Sequence, residues 1–521
     1  MNINKRKGTY KWGSAIVACI AVFIIVLDMS AMNVAITELV TDLNTKLTTI
    51  QAIIALYSLI IASFMLIGSK LQDVIGRRKS FLAGSVIYGI GTLIASTSFD
   101  PLMLLLGWAI FEGIGAALML PATTTIIGTS YNGKDKIIAF GIWGGIGAMG
   151  SAIGPIFGGF FTTYLSWRMI FGSEFLIVLI ILFFSYYITS SKPTIKWRDF
   201  DYIGAILSVI SLVTLVFGLL LINSPSTWSI APFVIAIGLI LFVVFLLWQR
   251  HLIKNNKQPL SDIYILKNKI FSMGIVTAII QQIPLAGYLF IMPVFLQQVT
   301  HLDAFTTGLV LLPSSLVIMV LSLLGAKISK FIHPKYMLII GFLITACGTF
   351  LLSGKFYMNM DPWSIVPYTM IFGAGVGLIL SQLTNYILSA IDESKSSDAA
   401  GLLNTFRNLG YSVGTAFIGV LLIISIFGGL TASIAQTDFG TSLTNDEIHT
   451  KIFNYFEKMQ TNSSTELPSN IAEDSSFILN NTINISMKWI FEILTILSIV
   501  GAIFSCFIPK RKVLESSVPI A

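Results

Sequence analysis

The sequence predicts an all-α integral membrane protein with about fourteen transmembrane helices. Three observations carry that reading. Of 521 residues, 55% are hydrophobic and only 11% are charged, whereas a soluble domain carries about a quarter charged residues. Apolar runs long enough to cross about 30 Å of hydrocarbon recur along the chain. The formal charge of +7 is gathered in short loops between those runs. That pattern is an orientation signal, so nucleic acid is not an expected partner. Cys19, Cys347 and Cys506 all fall within apolar runs and read as packing residues, neither a disulfide nor a metal set. The first run, residues 12–36, is too long for a secretory signal and has no small-residue cleavage site after it.

Lys5, Arg6, Lys7 and Lys11 precede that first run and set the N-terminus in the cytoplasm. Helix 1 carries Asp28 about 24 Å along its axis, a depth at which a carboxylate marks a functional site by default. The alternatives for it are a hydrogen bond to a neighbouring helix or water near the outer end. Helix 2 covers about residues 50–67. The loop that follows contains Gly68, Lys70, Asp73, Gly76, Arg77, Arg78 and Lys79. Gly76 permits a turn, the bases stay cytoplasmic, and Asp73 can pair with a base or a helix N-terminus. Helix 3 spans about residues 80–97 and helix 4 about residues 101–127. Glu112 lies near the middle of helix 4, where it supplies a titratable group at depth. Helix 5, within about residues 137–163, holds Gly147, Gly150, Gly154 and Gly158 at helical spacing, a stripped face for close helix approach. Pro155 bends that helix. Gly145, Gly147 and Gly150 also match the dinucleotide fingerprint G-x-G-x-x-G, but that motif needs a soluble βαβ unit. Helix 6 follows Ser166-Trp167-Arg168. Its Glu174 counts as near the outer boundary, as much a hydrated interfacial carboxylate as a transport residue.

Two further runs, about residues 202–222 and 231–248, form helices 7 and 8. Arg250, Lys254, Lys257, Lys267 and Lys269 fill the next loop. From about residue 270, helix 9 presents Gln281, Gln282, Pro284, Pro293 and Gln297, a composition suited to lining a cavity. After helix 10, about residues 305–324, the stretch Gly325 to Lys335 repeats the Gly68–Lys79 loop in degenerate form, with Lys330 in the place of Asp73. That repeat points to two related bundles. Helices 11 and 12 cover about residues 336–352 and 363–390. Helix 13 contains Asn404, Arg407, Asn408 and Gly410; Arg407 sits about 15 Å into the span and needs a partner or water. Residues 428–487 form the long polar segment, acidic and therefore expected outside. Ile448, Ile452, Phe453, Phe456 and Met459 fall on one helical face there, as in an amphipathic helix at the outer leaflet. Helix 14, about residues 488–508, ends at Lys510, Arg511 and Lys512, so the C-terminus is expected inside.

Several of these stretches resemble the major facilitator superfamily, and within it the fourteen-helix drug:proton antiporters of the QacA/EmrB type. The resemblance rests on Leu27-Asp28 of helix 1 and on Gly68, Asp73, Gly76, Arg77 and Arg78 of the loop between helices 2 and 3. Gly113-Ile114-Gly115-Ala116-Ala117 of helix 4, the helix-5 Gly150, Gly154, Pro155, Gly158 and Gly159, the Ser166-Trp167-Arg168 turn and the Asn404-x-x-Arg407-x-x-Gly410 pattern add to it. The sequence departs from the family at Ala109, where an Arg tied to proton coupling is usual, at Glu112 for Gln, and at Glu174 for Asn.

The resemblance implies two six-helix bundles, residues 1–190 and 256–521, with two accessory helices in residues 191–255. It implies a secondary exporter that works by alternating access, with the Gly68–Arg78 loop as a gate and helices 5 and 13 as pivots. Asp28, Asn404 and Arg407, which match the family's motifs, and Glu112, Gln281 and Gln282, read from depth and composition, are the candidates for substrate and protons. The expected partners are protons, the bilayer and small amphipathic, cationic, drug-like compounds. A proton gradient is expected to stand in place of any cofactor or metal, and the protein is expected as a monomer in a bacterial plasma membrane. Two other readings stay open, an exporter or flippase of a lipid or endogenous amphiphile and a non-transporting membrane sensor. An enzyme is disfavoured, because His251, His301, His333 and His449 all fall in loops or the polar segment.

Overall fold

The computed structural model describes residues 12–131, 133–188, 193–222, 227–329, 331–391, 395–436 and 475–509. Among them, fourteen helices are long and apolar enough to cross a membrane. They are α1 (Gly13–Ala31), α2 (Leu47–Ile75), α3 (Arg77–Ser96), α4 (Pro101–Ser130), α5 (Ile138–Tyr164), α6 (Arg168–Tyr187), α7 (Tyr202–Leu221) and α8 (Ala231–Lys254). The second half holds α9 (Lys269–Gln298), α10 (Ala304–Gly325), α11 (Pro334–Ser353), α12 (Pro362–Leu388), α13 (Asp398–Ile434) and α14 (Ser476–Phe507). Several start at a side-chain cap that satisfies a free backbone N–H. The Met103 amide donates to Asp100 at 2.7 Å and the Thr306 amide to Asp303 at 2.7 Å, while the Ile270 amide donates to Asn268 at 3.0 Å.

The helices form two six-helix bundles, α1–α6 and α9–α14, with α7 and α8 as the accessory pair. Those two pack on each other, and Leu212 and Val216 of α7 rest on Leu59 and Ala62 of α2. The bundles meet along α2 with α13 and along α5 with α10. Gln51 of α2 donates to the Thr415 carbonyl of α13 at 2.6 Å, and Ser412 returns a bond to the Ala55 carbonyl at 2.6 Å. On the other flank the Phe305 amide of α10 donates to Thr163 of α5 at 3.0 Å. Gln297 of α9 donates to the Val34 carbonyl, beyond the end of α1, at 2.7 Å. These ties, Gln51 and Gln297 among them, cluster towards the end of the bundles opposite the basic Arg77–Lys79 loop. Towards that loop α5 is looser: a Cβ at Gly141 or Gly144 would meet nothing within 4 Å.

Four expectations are corrected by the structure. The first apolar run is not one helix. α1 stops at Ala31 and a short helix, Ile36–Asp42, follows. Asn33 donates its amide back to the Met29 carbonyl at 2.5 Å, a local bond that competes with the helical ladder. Second, α2 runs on to Ile75, so Asp73 stands in its last turn and the connection to α3 shrinks to Gly76. Gly76 has φ 90°, a backbone conformation that favours glycine. Third, α14 begins at Ser476, inside the stretch read as a loop. Two of its polar residues find partners on neighbouring segments: Ser486 donates to the Ser425 carbonyl at 2.9 Å, and Asn480 accepts from the Met358 amide at 3.0 Å. The proposed amphipathic helix around Ile448–Met459 lies outside the described residues. Fourth, Gly147 does not share the tight face of α5, since the nearest atom to a Cβ there is a Val22 methyl at 3.8 Å.

Candidate functional site

The α3–α4 contact sets the site's geometry. Glycines on both helices let their backbones meet. A Cβ at Gly91 would stand 2.5 Å from the Glu112 nitrogen, and one at Gly115 would stand 2.5 Å from the Tyr88 nitrogen. Within α4 the residues Leu105–Glu112 form a π-helical stretch, a widened turn that often accompanies functional sites. It carries Trp108, Ala109 and Glu112, all buried. α6 is docked against this pair by its first turn. Arg168 pairs with Asp42 at 2.6 Å and donates to the Ser98 carbonyl at 2.9 Å, while Trp167 donates to Asp42 at 3.1 Å.

Docking brings Glu174 inward. Its side chain is 0% exposed, as are Asp28 and Glu112. Carboxylate oxygens of these three residues, from α6, α1 and α4, lie within 4.8 Å of one another. Glu174 is therefore not a hydrated boundary residue. It belongs to the buried face Ile170, Phe171, Glu174, Val178 and Ile181, whose spacing of three and four is that of a core stripe. The sequence contained that signal, but counting depth from the helix end obscured it.

Donors around the cluster are unevenly shared. The Trp108 indole donates to Asp28 at 2.9 Å, and the Tyr88 hydroxyl donates to Glu174 at 3.3 Å. Both Glu112 carboxylate oxygens lack a hydrogen-bond partner. Tyr57 of α2 faces Asp28 without a well-formed hydrogen bond, and its ring lies 5.5 Å from that of Trp108. Among the described residues none of the three acids makes an ion pair. Each pair of full charges at 4.8 Å would repel by about 3.5 kcal/mol even at an effective dielectric near 20. A triply charged cluster without a counter-ion is thus excluded, and protons or a bound cation must offset most of that charge.

A small cavity adjoins the cluster, lined by Met29, Asn33, Tyr57, Ser58, Trp108 and Tyr411. Tyr411 comes from α13, so both bundles wall this space, and Asn33 donates to the Tyr411 hydroxyl at 3.3 Å. Asn33 Oδ1, Tyr57 Oη and Ser58 Oγ in its wall lack partners. Trp108, Tyr57 and Tyr88 were not singled out in the sequence. An aromatic residue in an apolar run reads as packing, and only the fold reveals the acid opposite it.

The other predicted residues separate from this cluster. Gln281 and Gln282 are buried on α9, both amide atoms of Gln281 lack partners, and Arg407 Nε on α13 lacks one too. The Asn404 carbonyl accepts from Asn408 at 3.0 Å. Among the described residues no hydrogen bond or ion pair links Arg407, Gln281, Gln282 or Asn404 to the three acids. In the predicted gate, Gly68 abuts the α4 backbone at Ala117, and the Asp73 carbonyl accepts from the Thr194 amide at 2.8 Å. The Asp73 side chain lies in electrostatic reach of Lys70, Arg77 and, from α13, Asp398. Arg78 Nε is buried without a partner. On α5, Gly150, Gly154 and Gly158 face α1. Gly159 and the Pro155 carbonyl face α10 at Ala304 and Gly308.

The sequence profile of the Major Facilitator Superfamily matches residues 18–200 and 202–415. The chain belongs to that superfamily. Its fourteen candidate spans agree with the fourteen-helix branch of this family that the sequence resembles. Among its relatives is the riboflavin transporter RibZ of Clostridioides difficile, 27% identical over 78% of this chain and 87% of that protein. The multidrug efflux pump LfrA of Mycolicibacterium smegmatis is 26% identical over 80% of this chain and 82% of that one. The crystal structure of a D-xylose–proton symporter superposes with a TM-score of 0.61 over 96% of this chain and 98% of that chain. At 14% identity that likeness concerns the fold alone. As a member of this superfamily the chain is a multi-pass membrane transporter of small substrates.

Proposed function

We propose that this facilitator is a proton-coupled exporter of amphipathic, cationic small molecules. It works by alternating access, with both termini in the cytoplasm. The observation that carries the reading is the buried cluster of Asp28, Glu112 and Glu174 beside a cavity walled by both bundles. Asp28, held by Trp108, would face the substrate's positive charge, and Glu112, without a donor, would take the proton. The cavity has room for about one water, so a cation would enter beside Asp28 only as the bundles part; that cation and a proton on the cluster relieve the same charge, so each disfavours the other's binding. That competition is what an antiporter requires. Gln281, Gln282, Asn404 and Arg407 would contribute from the second bundle. No cofactor enters this scheme beyond the proton gradient, and one copy of the chain suffices for it. Relatives named for multidrug efflux and for puromycin resistance support the export direction.

A second reading is export of a neutral or lipid-like amphiphile. It is favoured by an apolar groove between α1 and α5, lined by Trp12, Ile16, Ile20, Ile142, Ile146 and Met149. The deciding experiment is uptake into everted vesicles or proteoliposomes with an imposed pH gradient, using matched alkylammonium and uncharged ligands. Asp28→Asn should impair the cationic compounds more than the neutral ones. Glu112→Gln should remove the pH dependence of transport while binding persists. Equal losses for cationic and neutral compounds in Asp28→Asn would favour the second reading.

A further inference from the structure

Glu174 has no role in the scheme above, yet it is as buried as Asp28 and Glu112 and shares their space. We propose that the three carboxyls form one proton-binding cluster that carries a single negative charge, on Asp28, while Glu112 and Glu174 each hold a proton. The inference rests on the proton-coupled reading for its use in transport, but not for its chemistry.

The donor geometry assigns the charge. Asp28 receives the Trp108 indole on Oδ2 at 2.9 Å, the shortest donor contact of the three acids, while its Oδ1 has no partner. Glu174 receives one longer bond, from Tyr88 at 3.3 Å, and Glu112 receives no formed bond, although the same Tyr88 lies beside it. A carboxylate with no donor is badly served inside a protein, whereas a carboxylic acid can donate its own proton to a neighbouring oxygen. An oxygen of Glu112 and one of Glu174 lie within 4.8 Å of one another, so a side-chain rotation would let one acid donate to the other. The titratable side chains facing the cluster are Tyr57 from α2, Tyr88 from α3 and, beside Asp28, Tyr411 from α13; none is a base. The Tyr57 hydroxyl is a second, separate indication that the cluster is built to take up a ligand. Its side chain is 1% exposed and its oxygen has no formed hydrogen bond although it is turned to the acids. A donor left idle beside Asp28 suits a site that fills and empties.

The test is infrared difference spectroscopy on the full chain in lipid nanodiscs across pH. Carboxyl carbonyl bands report protonated acids directly, and uniform 13C-glutamate labelling separates Glu from Asp without any mutation. Near neutral pH the wild type should show two protonated-carboxyl bands, both displaced by the glutamate label. Glu112→Gln and Glu174→Gln should each remove one, halving the signal, with unfolding temperature and elution profile as folding controls. If Glu174→Gln does not fold, Glu174→Asp should move one band from the Glu-labelled to the unlabelled class. An unaltered spectrum in folded Glu174→Gln, or a wild type without Glu bands, would overturn the proposal. So would loss of both bands on adding NaCl or MnCl2, which would make this a metal site. Wild-type vesicle transport that ignores the pH gradient, with both bands present, would sink proton-coupled export and leave the cluster standing.

Discussion

Gly159→Ala isolates the contact between the bundles on the α5–α10 flank. A Cβ at this position would stand 2.5 Å from the Ala304 carbonyl oxygen and 2.8 Å from the Phe305 Cα. Ordinary contact starts at 3.4 Å, so α5 and α10 must part there by about 0.9 Å. The obstructing atoms are backbone, so no side chain can rotate away. Overpacking of this kind costs roughly 1–3 kcal/mol, partly offset by the better helix propensity of Ala, about 1 kcal/mol. A net loss of up to about 2 kcal/mol is up to a roughly thirtyfold fall in the population of the conformation with this end closed. Spin labels at Glu38 and Gln298, exposed sites at the ends of the two bundles, would report that separation by pulsed electron resonance in a cysteine-free background. The distance distribution should broaden towards longer values, and transport should slow. Gly144→Ala is the control: with nothing within 4 Å of its Cβ, it should leave distances and transport alone and stabilise the helix slightly. A Gly159→Ala protein with the wild-type distance distribution and full transport would refute the claim that backbone contact here holds the end shut.

Three further outcomes follow from single contacts. Trp108→Phe keeps a ring but removes the indole donor that reaches Asp28; hydrogen bonds to charged groups are worth about 1.5–3 kcal/mol, so binding of an alkylammonium ligand should weaken about tenfold or more by calorimetry while the fold survives. Gly76→Ala forces a side chain into φ 90°, which costs on the order of 1–3 kcal/mol and should lower the unfolding temperature measurably; an unaltered temperature would count against strain at that turn. Asp73→Asn removes a charge that faces Lys70, Arg77 and Asp398, and it should slow turnover with expression close to normal; wild-type turnover in vesicles would leave the Gly68–Arg78 stretch a determinant of topology alone.

The spans were legible because a bilayer imposes length and apolarity on every crossing segment, whatever its neighbours. Their ends were less so. α14 extends to Ser476 through polar residues whose partners, Ser425 and Met358, come from elsewhere in the chain. Asp28 and Glu112 stood out because isolated acids at depth are costly. Glu174 did not, because its burial comes from α1 and α3 packing on α6, with Trp108 of α4 against Phe171, a tertiary fact. The stripe of Phe171, Glu174 and Val178 carried the hint in one dimension. Gly147 misled in the opposite sense. It continues the glycine spacing of α5, but α1 has drawn away from it, and spacing alone does not say where two helices diverge.

One helix joins the acid cluster to the contact between the bundles. Asp28, Ser30 and Ala31 lie within a single turn at the end of α1. Ser30 donates to the Ser151 carbonyl of α5 at 2.9 Å. A Cβ at Gly154 or Gly158 of α5 would run into Ser30 and Ala31. α5 in turn lies against α10, the Pro155 carbonyl meeting Gly308 and Gly159 meeting Ala304. Close-packed backbones of this kind transmit small displacements because they have no slack to absorb them. A shift of α1 by a fraction of an ångström, as the charge beside Trp108 changes, would therefore be felt at Ala304 through two rigid contacts. This route is continuous in space, and coupling along it is measurable as the non-additivity of Asp28→Asn and Gly159→Ala in the spin-label distances.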